Sequence, residues 1–409
     1  MTARLLDGGT EGVCGCLTSG GTESIIMAAK AHRDFYREAG ITSPEIVAAE
    51  SAHAAIDKAC DMLGIRLIKV PTNRKTFQAD VEAMRRQVGV NTIMLYASAP
   101  SFPHGVVDPV RGLSEVAEAC GVGLHVDCCL GGFVLPFARD LGHPVPEFDF
   151  SLPGVTSMSV DTHKYGYAGK GTSVVLYRSK ELRHHQYFCF PKWTGGLYVT
   201  PTLAGSRSGG LVASCWASMV ALGQEGYRAA VKSIMETTKE VLEGVLSIPE
   251  LRVLGEPRAM IVCFGPAKTG QRGVNIYRVG DCMTSRGWSL NALQRPACLH
   301  LCVTLLHVGR AAAFLSDLRE AVKEASISDG ISKQINLFID STDLECMSID
   351  SRYSIVCLHL CVTLLHVGRA AAFLSDLRGL SRRRESVMEY LGKSTYLSTV
   401  LIYEVYIYR

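Results

Sequence analysis

The stretch EIVAAESAHAAIDKACDMLGIRLIKV, residues 45–70, decides the fold of this chain. It opens with a short apolar run, continues with helical periodicity over residues 52–63, and closes with a second apolar run at residues 65–70. Two short apolar runs separated by a segment of helix length are typical of a strand–helix–strand unit. The stretch therefore predicts an α/β protein.

The same alternation continues towards the C-terminus. Further strands are predicted at residues 92–97, 123–127 and 155–160, and further helices at residues 79–88 and 113–120. Right-handed crossovers between parallel strands place helices on both faces of one sheet. Ligands of such sheets bind beyond the carboxyl ends of the strands. In this chain those positions hold Ser98, Asp127 and the run 161–164.

A change of pattern near residue 223 indicates a second folded part. A long amphipathic helix over residues 226–246 is followed by short strand-like runs and another helix near residues 308–323. We therefore predict a large domain over residues 1–222 and a smaller α+β C-terminal domain over residues 223–325.

The C-terminal region contains an exact internal duplication. The 22 residues CLHLCVTLLHVGRAAAFLSDLR occur at residues 298–319 and again at residues 357–378. Structural repeats normally vary in sequence and come in threes or more. Two identical copies cannot fill one place in one small domain. We expect the first copy to be packed and residues 326–409 to form an aberrant tail.

Composition limits the classes of function. The chain has 409 residues, 20% of them charged, and a net charge of +3, which does not indicate a nucleic-acid-binding surface. It has no apolar stretch of the roughly 18 residues that a membrane-spanning helix needs. It has fifteen cysteines but starts without a basic-then-apolar leader, which favours a reducing compartment. The chain by itself is thus expected to be soluble and cytoplasmic, without a transmembrane segment.

A glycine-rich loop lies at residues 17–24, LTSGGTES, directly before a predicted helix. Gly21 allows close backbone approach to a ligand, and Thr22 and Ser24 supply hydroxyl groups. The N-terminus of a helix favours an anion. The loop therefore predicts a phosphate site, with an ordinary helix cap as the alternative.

The run VDTHKYG, residues 160–166, places Lys164 just after a predicted buried strand. Burial favours the neutral amine, which is the form that condenses with an aldehyde cofactor. His163 and the hydroxyls of Ser159 and Thr162 could hold a phosphate nearby. The alternative is a surface lysine at the end of a strand.

Three further features have both a functional and a structural interpretation. Asp127 could keep a pyridine nitrogen protonated, or it could cap the next turn. His53 could stack on a flat ring, although a histidine at a helix start is usually structural. The side chains of Cys298, His300 and Cys302 share one face of an apolar strand, which indicates core packing more than zinc binding. No metal site is predicted.

These features follow the order found in fold-type I pyridoxal-phosphate enzymes. The chain is specifically similar to the sphingosine-1-phosphate lyase family over roughly residues 12–319. The similar blocks are CGCLTSGGTES, EIVAAESAHAA, SFPHGVVDPV, LHVDCCLGGF, GVTSMSVDTHKYGYAGKGTSVVLY, TPTLAGSRSGG and CWASMVALGQEGY. The resemblance implies a transferase-like large domain with a mostly parallel sheet, pyridoxal 5'-phosphate as cofactor, and cleavage of a sphingoid base 1-phosphate into a long-chain aldehyde and phosphoethanolamine. The alternatives are an amino-acid decarboxylase that uses the same cofactor and an inactive truncated lyase fragment.

The resemblance also assigns roles to individual residues. Lys164 would form the Schiff base, Asp127 would pair with the pyridinium nitrogen, His53 would stack on the ring, Gly21, Thr22 and His163 would bind the cofactor phosphate, Ser206 would reach a phosphate of the partner subunit, and Lys170 would assist proton transfer. The role of Ser206 follows from the homodimeric active sites of the family. The family also implies a location at the cytosolic face of the endoplasmic reticulum membrane.

Three departures from the family pattern affect these expectations. Gly169 stands where the family has proline, which should loosen the loop that carries Lys170. Cys128 replaces a small alanine. The family further has a membrane anchor and a long segment ahead of the CGC block, with dimer contacts and groups at the substrate phosphate. We therefore expect a catalytic core whose surroundings are incomplete.

Overall fold

The computed structural model describes residues 1–327, except for residues 10–11 and 269–272. Its helices are α1 (Thr2–Leu5), α2 (Gly21–Glu38), α3 (Ala55–Leu63), α4 (Val81–Gln87), α5 (Val110–Cys120), α6 (Leu135–Asp140), α7 (Lys180–His184), α8 (Gly209–Leu246), α9 (Ile276–Ser285) and α10 (Ala311–Ile327). Its strands are β1 (Cys14–Thr18), β2 (Glu45–Ala49), β3 (Arg66–Val70), β4 (Thr92–Ser98), β5 (Gly123–Asp127), β6 (Ser157–Val160), β7 (Ser173–Tyr177), β8 (Phe188–Trp193), β9 (Gly196–Thr200), β10 (Leu251–Val253), β11 (Ile261–Pro266), β12 (Asn291–Leu293) and β13 (Cys298–Cys302). The second sequence copy and residues 328–409 of the predicted tail lie outside the described residues.

Seven strands form one mostly parallel sheet. Their order is β1-β7-β6-β5-β4-β2-β3. Strands β2 to β6 run parallel, whereas β7 is antiparallel to both of its neighbours, β6 and β1. The prediction of an α/β large domain is confirmed. The carboxyl ends of β4, β5 and β6 consequently meet at one edge of the sheet.

Apolar side chains cover both faces of this sheet. Ile46 belongs to a cluster with Ile25 of α2 and Ile56 of α3, whereas its neighbour Val47 belongs to a second cluster on the opposite face with Leu95. All five are at most 2% exposed. Each such side chain contributes about 1.5–3 kcal/mol by leaving water. This two-sided burial explains the near-continuous apolar runs in the sequence.

A smaller antiparallel sheet follows, as predicted for the C-terminal domain. Its order is β10-β11-β13-β12, and the first copy of the duplicated sequence supplies β13 and part of α10. Leu299, Phe314 and Leu318 of that copy are at most 1% exposed. The division of the chain at residue 222 stays a prediction.

Several features of the structure differ from the sequence prediction, among them the strands β1 and β7, which were not predicted. Helix α8 starts at Gly209, well before the predicted residue 226, and Gly223 interrupts it with a φ of 57°. The hairpin of β8 and β9 has no counterpart in the prediction. Nearly all its residues are exposed, so it lacks the alternation of buried and exposed residues that marks a strand in a sequence. No helix in the described part of the chain meets the length and hydropathy that a membrane span requires.

Candidate active site

A cavity of about 350 Å³ opens at the carboxyl edge of the large sheet. Its walls are Ser19, Gly20, Gly21, Thr22, Ile25, His53, Asp127, Cys129, Asp161, His163, Lys164 and Gly171. The cavity brings together six of the eight predicted site residues, although they come from widely separated parts of the sequence. Lys170 and Ser206 are not among the lining residues. Ser98 is buried at the end of β4, where its N–H donates to Asp108 at 2.8 Å.

The glycine loop forms one wall, and α2 begins there. A Cβ atom on Gly21 would lie 2.7 Å from Sγ of Cys129 and 2.9 Å from Oδ1 of Asp161, so only glycine fits. The hydroxyl of Ser24, which was predicted to face a ligand, does not line the cavity. It forms hydrogen bonds in the core with the hydroxyls of Thr18 at 2.6 Å and Ser173 at 2.9 Å. Ser24 is thus a structural residue, while Gly21 and Thr22 line the start of the helix, where its dipole favours an anion.

Asp127 is 8% exposed at the end of β5 and is held on both carboxylate oxygens. Its Oδ2 accepts a hydrogen bond from the hydroxyl of Tyr96 at 2.7 Å, and Oδ1 accepts one from the N–H of Cys129 at 2.9 Å. Burial by itself would raise the pKa of Asp127, but these hydrogen bonds outweigh it and lower the pKa. Asp127 is therefore ionised at neutral pH and can pair with a cationic ring nitrogen.

The partners of Asp127 were not assigned from the sequence. Tyr96 lies on the neighbouring strand, and the pairing of Tyr96 with His125 brings its ring towards Asp127. Ser159 was predicted as a phosphate ligand, but its buried hydroxyl contacts Asp127 at 3.3 Å and His125 at 3.2 Å. That prediction is wrong, because Ser159 lies inside β6 and faces the neighbouring strand. Thr162 is likewise fully buried and does not line the cavity.

Lys164 faces the cavity, with a side chain that is 34% exposed and an amine 2.9 Å from Oδ2 of Asp161. Burial lowers the pKa of the amine, but the charge of Asp161, with smaller effects from Cys129 and Asp127, raises the pKa above its ordinary value. The prediction of a neutral lysine is wrong for the ligand-free chain, since it considered burial without the counter-charge. Lys164 is an ammonium that must lose a proton before it can act as a nucleophile.

Two tyrosines fix the loop that carries Lys164. The hydroxyl of Tyr165 donates to the carbonyl of Val303 at 2.7 Å, and that of Tyr227 donates to the carbonyl of Gly166 at 2.7 Å. The first contact joins the loop to the end of β13 and the second joins it to α8. Both tyrosines are structural, and the amine is presented by a backbone that is held from two sides.

Each of the two histidines at the cavity has its Nδ1 hydrogen-bonded to a backbone group. Nδ1 of His163 bonds the carbonyl of Thr172, which leaves Nε2 at 3.9 Å from Oδ2 of Asp161. Nδ1 of His53 accepts the N–H of Ala55 at 3.1 Å. His53 therefore presents its ring to the cavity from the loop after β2, and the ring also meets Phe102 edge-to-face.

The remaining predicted positions do not line the main cavity. Lys170 is exposed next to the lining residue Gly171. Ser206 is exposed between Gly205 and Arg207, which line a separate cavity of about 530 Å³. Cys128 is fully buried in the apolar core, so the larger residue is accommodated. The roles assigned to Lys170 and Ser206 stay predictions.

The residues of the main cavity fit pyridoxal phosphate. A wall that only glycine can form adjoins a helix N-terminus, an ionised buried carboxylate stands at the end of β5, and the amine of Lys164 lines the same cavity. Oδ1 of Asp161 is buried without a hydrogen-bond partner among the described residues. These groups suit an anionic aromatic aldehyde with a ring nitrogen.

Comparison with known proteins defines the class. Residues 3–266 match the model of the pyridoxal-dependent decarboxylase conserved domain, and the chain belongs to this family. Its cofactor is pyridoxal phosphate. Within the family the chain is similar to sphingosine-1-phosphate lyases, as the sequence blocks predicted. It is 52% identical to the lyase of Arabidopsis thaliana over 81% of this chain and 60% of that protein, and 45% identical to the lyase of Rattus norvegicus over 79% of this chain and 56% of that protein.

Solved structures agree with this assignment. The sphingosine-1-phosphate lyase of Burkholderia pseudomallei has a TM-score of 0.76 and 46% identity, covering 80% of this chain and 75% of that one. Glutamate decarboxylase of Lactobacillus brevis, with a TM-score of 0.70 and 21% identity over 81% of this chain and 79% of that one, shares the fold. The chain spans about 60% of the length of the curated relatives it matches.

Proposed function

We propose that this chain carries the cofactor-binding core of a carbon–carbon lyase. The substrate would be a sphingoid base 1-phosphate, and the products a long-chain aldehyde and phosphoethanolamine. The observation that carries the proposal is that Lys164 and an ionised Asp127 line the same cavity at the carboxyl edge of the sheet. The identity of 46–52% with lyases from bacteria and plants supports this substrate class.

Each lining residue has a defined task in this proposal. Lys164 would hold the cofactor aldehyde, Gly21, Thr22 and His163 would hold its phosphate, and His53 would cover the ring. Asp127 would keep the ring nitrogen protonated. When bound, the cofactor supplies an electron sink for the pair released as the substrate C2–C3 bond breaks. Asp127 is buried and accepts a hydrogen bond from Tyr96. In such surroundings a charge interacts more strongly with its partner than it would in water.

The reaction needs two proton movements. The C3 hydroxyl must lose a proton as its carbon becomes the aldehyde, and C2 must gain one to give phosphoethanolamine. Lys170 is our candidate for moving one of these protons, and its exposed position beside Gly171 is at the margin of the cavity.

We also propose a homodimer with shared active sites. Phe188, Trp193 and Leu197 of the β8–β9 hairpin are 51%, 53% and 69% exposed, and Trp216 of α8 is 61% exposed. Several large aromatic and aliphatic side chains exposed close together in the sequence are typical of a protein interface. Ser206 follows the hairpin, so an interface here would place it near a second subunit. By family resemblance, the dimer would act at the cytosolic face of the endoplasmic reticulum membrane.

The test is direct. The purified chain is loaded with pyridoxal phosphate, incubated with sphinganine 1-phosphate, and assayed for phosphoethanolamine by mass spectrometry, with Lys164→Ala as the inactive control. Release of carbon dioxide from glutamate or an aromatic amino acid, without phosphoethanolamine, would instead establish a decarboxylase. A chain that binds cofactor and releases neither product would be the inactive fragment.

A further inference from the structure

Asp161 is a cavity residue to which neither the motifs nor the proposed reaction gives a task. It directly follows β6 and is 3% exposed. Its Oδ2 lies 2.9 Å from Nζ of Lys164, and its Oδ1 is buried without a hydrogen-bond partner among the described residues. A buried carboxylate whose solvation the fold does not replace is destabilising.

The other titratable groups around the amine do not duplicate this charge. Burial raises the pKa of the thiols of Cys129 and Cys302, so both are neutral at pH 7. The hydroxyl of Tyr165 is directed to the carbonyl of Val303. Asp127 is ionised but engaged by Tyr96 and Cys129. Among the described residues Asp161 is therefore the carboxylate that forms an ion pair with Lys164.

His163 is the remaining titratable neighbour of this pair. Its Nε2 lies 3.9 Å from Oδ2 of Asp161, beyond hydrogen-bond distance. Gly21 approaches the carboxylate from the start of α2, where its missing Cβ leaves room for Oδ1. The carboxylate is thus confined between the amine and the glycine loop, and its position is set by the protein.

We propose that Asp161 is a positioning residue that holds Lys164 as an ammonium in the cofactor-free chain and, during the reaction, from its displacement by the substrate amine until it donates its proton, so that Lys164 is the proton donor of the reaction. The proton that makes the displaced Lys164 an ammonium comes from the substrate ammonium as it becomes the attacking amine. This inference rests on the proposed lyase function. One N–H bond of the ammonium breaks, and the proton joins the electron pair left on C2 of the substrate by cleavage of the C2–C3 bond. The N–H electron pair stays on nitrogen. The neutral amine that results is the form able to take up the cofactor again, so one proton transfer converts an acid into a nucleophile.

The first experiment uses neither cofactor nor substrate. The cofactor-free chain is trace-labelled with acetic anhydride between pH 7 and pH 10.5, and each lysine is quantified by peptide mass spectrometry, with the exposed Lys58 and Lys75 as internal references. In the wild type, the labelling of Lys164 should begin to increase at a higher pH than the labelling of Lys58 and Lys75. In Asp161→Asn, burial acts without a counter-charge, so labelling of Lys164 at pH 8 should increase at least tenfold. Asp161→Glu should restore slow labelling.

A matched control is available on the surface. Lys69 and Asp57 form an ion pair at the same distance of 2.9 Å, with side chains 29% and 50% exposed. Because solvent screens such pairs, Asp57→Asn should change labelling of Lys69 less than twofold. Unchanged labelling of Lys164 in Asp161→Asn would overturn the proposal. If circular dichroism shows that this variant does not fold, the pH dependence of labelling in the wild type is the test. Labelling of Lys164 that increases at a lower pH than labelling of Lys58 and Lys75 would contradict the ion pair.

The second experiment tests the proton donor in the loaded enzyme. The alkaline limb of kcat for phosphoethanolamine release should move to lower pH by at least one unit in Asp161→Asn, because Lys164 then loses its proton earlier. An alkaline limb at the same pH in both enzymes would contradict the role. The two proposals fail separately: without lyase turnover the labelling result still establishes the ion pair, and with turnover but unchanged labelling only the role of Asp161 is lost.

Discussion

Two regions of this molecule depart in opposite directions from the usual distribution of polarity. At the carboxyl edge of the large sheet, the charged groups Asp127 and Asp161 are buried, at 8% and 3% exposure. On the β8–β9 hairpin, Trp193 and Leu197 are more than half exposed. Each arrangement is costly for an isolated chain. The first is suited to a small ligand and the second to another protein surface, so the two regions call for different experiments.

Asp127→Asn should have the largest effect on the buried region. The amide cannot keep a ring nitrogen protonated, so we expect phosphoethanolamine release to fall roughly a hundredfold or more while cofactor binding persists. Turnover and cofactor absorbance measured on the same sample separate the two effects. Asp149→Asn is the control, since Asp149 is also buried, pairs with Arg139 at 2.8 Å and does not line the cavity. Equal losses of turnover in both variants would remove the assigned role of Asp127.

Trp193→Ser should have the next largest effect, on the exposed region. If the hairpin belongs to a dimer interface, loss of a central aromatic residue should weaken self-association by about 2 kcal/mol, or roughly thirtyfold in Kd. Sedimentation velocity over a concentration series measures this change. Val90→Ser removes an apolar group that is 92% exposed in a loop, and it should leave association unchanged. An association constant that Trp193→Ser does not alter places the interface elsewhere.

Tyr96→Phe should have a smaller effect than the two preceding variants. It tests the buried region alone, because it removes one hydrogen bond from the charged Asp127. The hydrogen bond lowers the pKa of Asp127, so its loss raises that pKa. The depressed pKa stabilises the fold above the unfolded pKa of the carboxyl group, and this contribution disappears as the pH falls through the folded value. We expect a loss of about 1 kcal/mol in the free energy of unfolding, and an acid limb of activity that moves to higher pH.

Tyr177→Phe is the control for that variant. Tyr177 is fully buried and its hydroxyl has no hydrogen-bond partner among the described residues. Removing this hydroxyl should therefore leave both the free energy of unfolding and the acid limb nearly unchanged. If Tyr96→Phe behaves in the same way, the hydrogen bond at 2.7 Å does not control the charge of Asp127.

Gly169→Pro should have the smallest effect. A Cβ on Gly169 would meet only Ser214, at 3.8 Å, and no backbone hydrogen bond from its N–H occurs in the described part of the chain. Restoring the family's proline should stabilise the fold by about 0.5 kcal/mol, by restricting the unfolded chain. Urea denaturation measures this, with Gly89→Pro as a contrast because the N–H of Gly89 donates to Thr92 at 2.9 Å. Destabilisation by both variants would show that the loop around Gly169 needs glycine.

The sequence was sufficient to predict the five parallel strands β2 to β6 of the large sheet and the helices α3 to α5 between them, but not the strands β1 and β7. Strands β4 and β5 begin and end within one residue of their predicted bounds, 92–97 and 123–127, because breaks in the apolar pattern mark their ends. Helix α3 starts at Ala55, three residues later than predicted, since Nδ1 of His53 accepts the N–H of Ala55 and fixes a turn there. Such local side-chain bonds are not visible in periodicity.

The candidate site was predictable in its members but not in its charges. Gly21, His53, Asp127 and Lys164 were identified from motifs, and the cavity contains all four. The contact of Tyr96 with Asp127 depends on the pairing of β4 with β5. The ion pair of Lys164 with Asp161 depends on how the loop turns back. Hydrophobic patterns carry neither kind of information, so the protonation state of Lys164 could be assigned only from the structure.

The antiparallel direction of β7 has a mechanical consequence. A parallel successor to β6 would have required a long crossover, and Lys164 would then sit on a connection tethered at distant points. Here Val160 pairs directly with Val174. The segment from residue 161 to residue 172 is therefore a loop that connects two adjacent, hydrogen-bonded strands. The segment that carries Lys164 is thus connected at both ends to neighbouring strands of the same sheet.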